Sequence, residues 1–219
     1  MLPVHQRIDQ QAKRPFRTRG DWQVATAREL VRRWRVPLAV GALLLALQAA
    51  GWRDALEYRR AAVLRGQVWR LLTGNLVHLG WAHLARDVAG LFLIWGLLGR
   101  SMDERSWASA ALASGLTVGL GLLAFNPSIA WYVGISGVLF GGFCAGALSG
   151  FQDRPMYAGA LLLGMAAVIV WAMHAGALPA ETTGLGGAVV PEAHLYGALG
   201  GAAFVVVRAG LSARAATTG

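Results

Sequence analysis

The sequence predicts an all-α membrane protein, a bundle of six transmembrane helices. The 219 residues are 56% hydrophobic and only 14% charged, with a mean hydropathy of +0.48. A soluble domain carries about 25% charged residues, so the shortage of charge points to lipid as solvent. Apolar runs near the roughly 20 residues that cross a bilayer recur along the chain, and only helices or closed barrels can span it without orphaned backbone groups. Nine of the 20 basic residues lie before residue 36 and the net charge is +9. No nucleic-acid-binding motif accompanies that charge and apolar runs follow at once. Residues 1–35 therefore read as a cytoplasmic tail obeying the positive-inside rule, with lipid and not nucleic acid as the partner.

The first apolar run, 36–52, follows a tail too long for the charged start of a secretory signal, so it is predicted as a first span. Residues 53–70 hold five arginines with Asp54 and Glu57, a loop or interfacial segment. Trp69 and Arg70 suggest an interface anchor, with the ring at headgroup depth and the guanidinium reaching outward. A second span is predicted at 80–99, a turn at 99–105 and a third span at 106–125. After a short aromatic loop, a fourth span starts near Ser136 and ends by Gly150. It is short, so its start should lie below the membrane surface. A fifth span covers 156–175, a Gly-rich loop 176–192, and a sixth span about 193–207. The six-span domain thus runs over 36–208, with 209–219 as a short tail. With the tail inside, inside segments hold fourteen basic residues and outside segments five, all in the first loop.

This topology brings the starts of spans two, four and six to one outer face. His83 and Asp87 lie near the start of span two, Ser136 opens span four and His194 opens span six. Polar groups inside a membrane are costly and mark function. At a helix start, free N–H groups and the dipole favour an oxyanion, which suits acyl transfer at Ser136. Gly134 permits an extended approach by substrate, and Gly137 removes a side chain beside the hydroxyl. The pattern is not the nucleophile elbow of α/β-hydrolases, because position 138 is Val and no strand is expected before it. Gly197 and Gly201 share one helix face and Gly137 with Gly141 offers a matching one. With Gly134, these small residues let backbones approach closely, bringing Ser136 to His194 as nucleophile and base. Read singly, Ser136 could merely cap a helix and His194 could be an interfacial histidine.

His83 and Asp87, four apart, share a helix face, while His78 lies earlier and nearer the surface. Two histidines and a carboxylate could bind zinc, but the spacing of five between His78 and His83 is poor for one face and no HExxH pattern exists, so no metal is expected. Cys144 is the sole cysteine, inside span four, and reads as a small packing residue.

In this order, Trp69-Arg70, His78 with His83, GISG around Ser136 and AHLYGALGG around His194 resemble the rhomboid family of intramembrane serine proteases. The segments HLGWAHL, WYVGISGVLFGG and AHLYGALGG look most like its rhombosortase branch. The resemblance implies a Ser136–His194 dyad with no third acidic member and no cofactor. It implies an oxyanion hole formed by the Ser136 backbone N–H, His83 and the residue at 87. It implies cleavage of membrane-anchored proteins that end in a Gly-rich motif, an apolar helix and a basic tail (the GlyGly-CTERM signal). The site would face the periplasm from the bacterial inner membrane, with both termini cytoplasmic. One position departs from the family, which usually has Asn where this chain has Asp87. A neutral Asp87 could donate to the oxyanion, or Asp87 could orient His83 instead. Two other classes fit the sequence less well. An inactive rhomboid-like binder of transmembrane helices is disfavoured by the intact serine and histidine. A proton-coupled transporter using Asp87 is disfavoured by the lack of other buried acids and of internal repeats.

Overall fold

The computed structural model describes residues 27–175 and 189–217. Residues from Arg35 onward form one compact unit, while those up to Trp34 belong to another. Six long helices are labelled here α1 (Ala27–Ala49), α2 (Trp81–Leu98), α3 (Glu104–Phe125), α4 (Ser136–Ser149), α5 (Pro155–Ala175) and α6 (Pro191–Thr217). Four of them, α2, α3, α5 and α6, are long and apolar enough to cross a membrane. Helix α4 has only 14 residues, and the first turns of α1 carry the arginines of the basic tail, so neither meets both criteria. Among the described residues four helices thus have spanning length and composition, and α4 is short as the sequence suggested.

Two ends differ from the hydropathy boundaries. Helix α1 begins at Ala27, inside the basic segment, and α6 runs on to Thr217, through most of the expected tail. Hydropathy reports which solvent a stretch prefers, whereas helix propensity is high for Arg, Leu and Ala on either side of a membrane surface. The Gly-rich loop at 176–192 lies mostly outside the described residues.

Helix α4 sits at the centre, against α2, α3, α5 and above all α6, which also packs along α3. Its buried positions are nearly all small: Gly137, Gly141, Gly142, Cys144, Ala145, Gly146 and Ala147. Lipid offers no hydrophobic drive between helices, so association rests on close packing, and small residues give the closest. At the far end of α4, Arg208 of α6 donates to Ser106 of α3 (3.1 Å) and Ser149 of α4 (3.0 Å), tying three helices together. The Asp103 carboxylate caps α3 by accepting from the Ser106 N–H at 2.7 Å. Those Ser106 hydrogen bonds hold it below its usual carboxylate range.

The arginine-rich first loop is folded, not extended along a surface. It contains short helical turns at Arg53–Leu56, Arg60–Leu64 and Arg70–Thr73 and a 3₁₀ turn at Gly74–Leu76. Arg70 does not reach outward as the anchor reading expected. It is 8% exposed and turned inward, donating to the backbone carbonyls of Asp54 (3.0 Å) and Glu57 (2.7 Å) and to Gln67 Oε1 (2.6 Å). Carbonyls at the ends of short helices have no internal partners, and a guanidinium with five donors can serve several at once. Buried Glu57 accepts from Arg53 and Arg59, and Arg60 donates to the carbonyl of Leu123 at the end of α3 (2.7 Å). Four of the five arginines that weakened the orientation count are thus engaged in folding this loop.

The same loop reaches the segment before α4. Tyr58–Arg59 (β1) pairs antiparallel with Trp131–Tyr132 (β2), Tyr58 opposite Tyr132 and Arg59 opposite Trp131. The Gly134 N–H donates to the Gly74 carbonyl at 3.2 Å. A short strand therefore does precede Ser136, contrary to the sequence reading, and it fixes where α4 begins.

Candidate active site

Ser136 is the first residue of α4, and the cap position before it is Ile135. Its side chain is not the cap of the helix; its Oγ lies 3.1 Å from His194 Nε2. Two structural features produce this distance. Helices α4 and α6 are interleaved through glycines, for a Cβ at Gly197 would stand 1.8 Å from the Gly137 carbonyl oxygen and one at Gly201 2.0 Å from that of Gly141. The His194 ring, 5% exposed, also lies flat on Phe140, with centroids 4.3 Å apart and planes 8° apart. Phe140 is four residues after Ser136, on the same face of α4, so the serine's own helix sets the orientation of the imidazole. That spacing is readable in the sequence. Among the described residues, His194 Nδ1 meets no acceptor.

The segment before Ser136 is held by α2. Asp87, 7% exposed, accepts the Ile135 backbone N–H on Oδ2 at 3.1 Å. The same oxygen lies 3.1 Å from His78 Nε2 and 3.5 Å from His83 Nε2. His78 is buried, 1% exposed and edge-on to His83 with ring centroids 5.1 Å apart. The helix-face rule failed because His78 lies outside α2, in the extended segment that precedes it.

Gly134 is not a helix-packing glycine. It lies in the loop with φ +118°, and a Cβ there would stand 2.8 Å from His83 Cε1. Both the conformation and the space require glycine, because His83 presses against the backbone two residues before the serine. Tyr132, buried beneath the loop, donates its hydroxyl to the Gly134 carbonyl at 2.8 Å. Cys144, buried two turns along α4, packs with Ile169 of α5 and Ala198 of α6.

Ser136 and His194 open into a cavity of about 650 Å³ between α2, the loop before α4, α4, α5 and the start of α6. His83, Arg86 and Asp87 line it from α2, facing Phe140, Phe143 and Met165. A hydroxyl bonded to a buried imidazole at a helix start, beside a mostly apolar chamber, is suited to acyl transfer.

Residues 65–210, which include all of these side chains, match the family model described as the Rhomboid domain. The chain is 32% identical over 92 residues to the "Putative rhomboid protease YdcA" of Bacillus subtilis (strain 168), covering 42% of this chain and 46% of that protein. It is 32% identical over 97 residues to the "Rhomboid protease GluP" of the same organism, covering 43% of this chain and 18% of that protein. The matched stretch thus spans less than half the length of either curated relative.

Proposed function

The chain belongs to the rhomboid family of multi-pass membrane proteins, and from that premise we propose that it is an intramembrane serine endopeptidase. The observation that carries the reading is the 3.1 Å approach of Ser136 Oγ to His194 Nε2 at the floor of the cavity. In this mechanism Ser136 Oγ bonds to the scissile carbonyl carbon and its proton passes to His194 Nε2. The carbonyl oxygen becomes an oxyanion facing the Ser136 backbone N–H and His83. Collapse of the intermediate breaks the C–N bond, and the amine leaves with the proton from His194. Water, activated by the same imidazole, then releases the acyl group. His83 Nδ1 accepts a long bond from the Leu79 N–H (3.5 Å), which leaves the proton on Nε2, the tautomer an oxyanion donor needs.

Asp87 serves neither as an oxyanion donor nor as the group that orients His83: it holds the loop before Ser136 in place. A carboxylate oxygen accepting the Ile135 N–H anchors the loop before the nucleophile. Asparagine retains such an acceptor oxygen, so Asp87→Asn should keep cleavage within a few-fold of wild type. Asp87→Ala leaves a buried N–H unpaired and should lower kcat roughly ten- to a hundredfold. Full activity in the alanine variant would remove Asp87 from the mechanism.

We assign as substrates exported proteins held by a C-terminal apolar helix behind a Gly-rich motif, cut near the periplasmic face of the inner membrane, with both termini of the enzyme in the cytoplasm. This rests on the likeness of the segments around Ser136 and His194 to rhombosortases. The test is cleavage of a reporter carrying that tail by the purified full chain, against a reporter whose Gly-rich motif is replaced. Wild type should cut the first and Ser136→Ala neither, while remaining folded. Cleavage surviving in the serine variant would refute the mechanism. Equal cutting of both reporters would refute the substrate class, and no cutting of any membrane reporter would favour an inactive helix binder.

A further inference from the structure

Arg86 has no part in the chemistry above, yet it lines the same cavity as Ser136 and His194. It is the sole arginine or lysine among the described residues that do so. Placing a guanidinium within the first two turns of an apolar helix is costly, and such charges usually face a wet cavity and mark function. Most of the remaining wall is apolar: Ile94, Leu139, Phe143, Met165 and Val168. Arg86 is itself exposed, and a guanidinium matches a carboxylate in a two-pronged geometry.

We propose that Arg86 is a specificity-determining residue that selects substrates with an acidic side chain close to the scissile bond. This rests on the reading of the chain as a protease. The experiment compares reporters bearing Glu, Gln or Lys at each position flanking the cut, with wild type, Arg86→Glu and Arg86→Lys, in neutral detergent. At one position wild type should favour Glu over Lys by roughly tenfold in kcat/KM. Arg86→Glu should reverse that order and Arg86→Lys should preserve it. The same ratios are read as binding affinities in proteins that also carry Ser136→Ala, so the preference is measured without turnover. A reversed affinity ratio without any cleavage would uphold the charge selection and sink the protease reading. Glu-to-Lys ratios that agree within twofold between wild type and Arg86→Glu at every position would overturn the proposal. So would an effect of Arg86→Glu that is uniform across reporters and arises only in vesicles containing anionic lipid, since Arg86 would then be holding a headgroup phosphate.

Discussion

His194→Ala should reduce reporter cleavage by about 10⁴- to 10⁶-fold, as large a loss as removing the serine itself, because a nucleophile and its base act as one unit. A serine hydroxyl is a weak nucleophile unless its proton has somewhere to go, and His194 Nε2, at 3.1 Å, is the base that the Ser136 hydroxyl meets. Among the described residues no acid orients the imidazole through Nδ1; the flat stack on Phe140 does so. Loss of the ring should therefore leave the helices in place and remove the chemistry. Reaction of Ser136 with a fluorophosphonate probe should fall in parallel, since that step also needs the proton removed. Thermal unfolding of the variant in detergent distinguishes this from collapse of the fold, and the double variant with Ser136→Ala should be no slower than either single one. Cleavage within tenfold of wild type would mean that another group takes the proton.

Much of this site was legible in the sequence because three polar residues recur at the starts of alternate apolar runs. Topology alone then places Ser136, His194 and His83 at one membrane face. What escaped the reading lies where periodicity has no hold. His78 precedes α2, so its spacing of five from His83 says nothing about a shared helix face. Arg70 resembled an interface anchor by composition, but the carbonyls of the first loop needed a donor and it turned inward to supply one. Gly134 resembled the packing glycines of α4, yet it stands in the loop where His83 leaves no room for a side chain. Helices α1 and α6 extend beyond the apolar runs because a helix can leave an apolar layer without unwinding.

Gly197→Ala tests the packing that makes the site possible, and the expected loss of cleavage is about a hundredfold. A methyl group at position 197 would sit 1.8 Å from the Gly137 carbonyl oxygen and 2.5 Å from its carbonyl carbon. Neither neighbour is the flexible end of a side chain, so helices α4 and α6 must separate by an ångström or more. Gly137 adjoins Ser136, and His194 lies one turn before Gly197, so the separation falls directly on the serine–histidine hydrogen bond. A misplacement of about 1 Å can cost 10²-fold in rate, and overpacking of this kind costs about 1–3 kcal/mol in stability. Gly210 is the control on the same helix, because a Cβ there meets nothing within 4 Å. Gly210→Ala should leave cleavage unchanged and, by the higher helix propensity of alanine, leave stability equal or slightly raised. Measuring kcat and the melting temperature for both variants separates the two causes: helix propensity would move both positions alike, whereas backbone contact moves Gly197 alone. If Gly197→Ala kept wild-type kcat, close approach of these two helices would not be what brings the hydroxyl to its base.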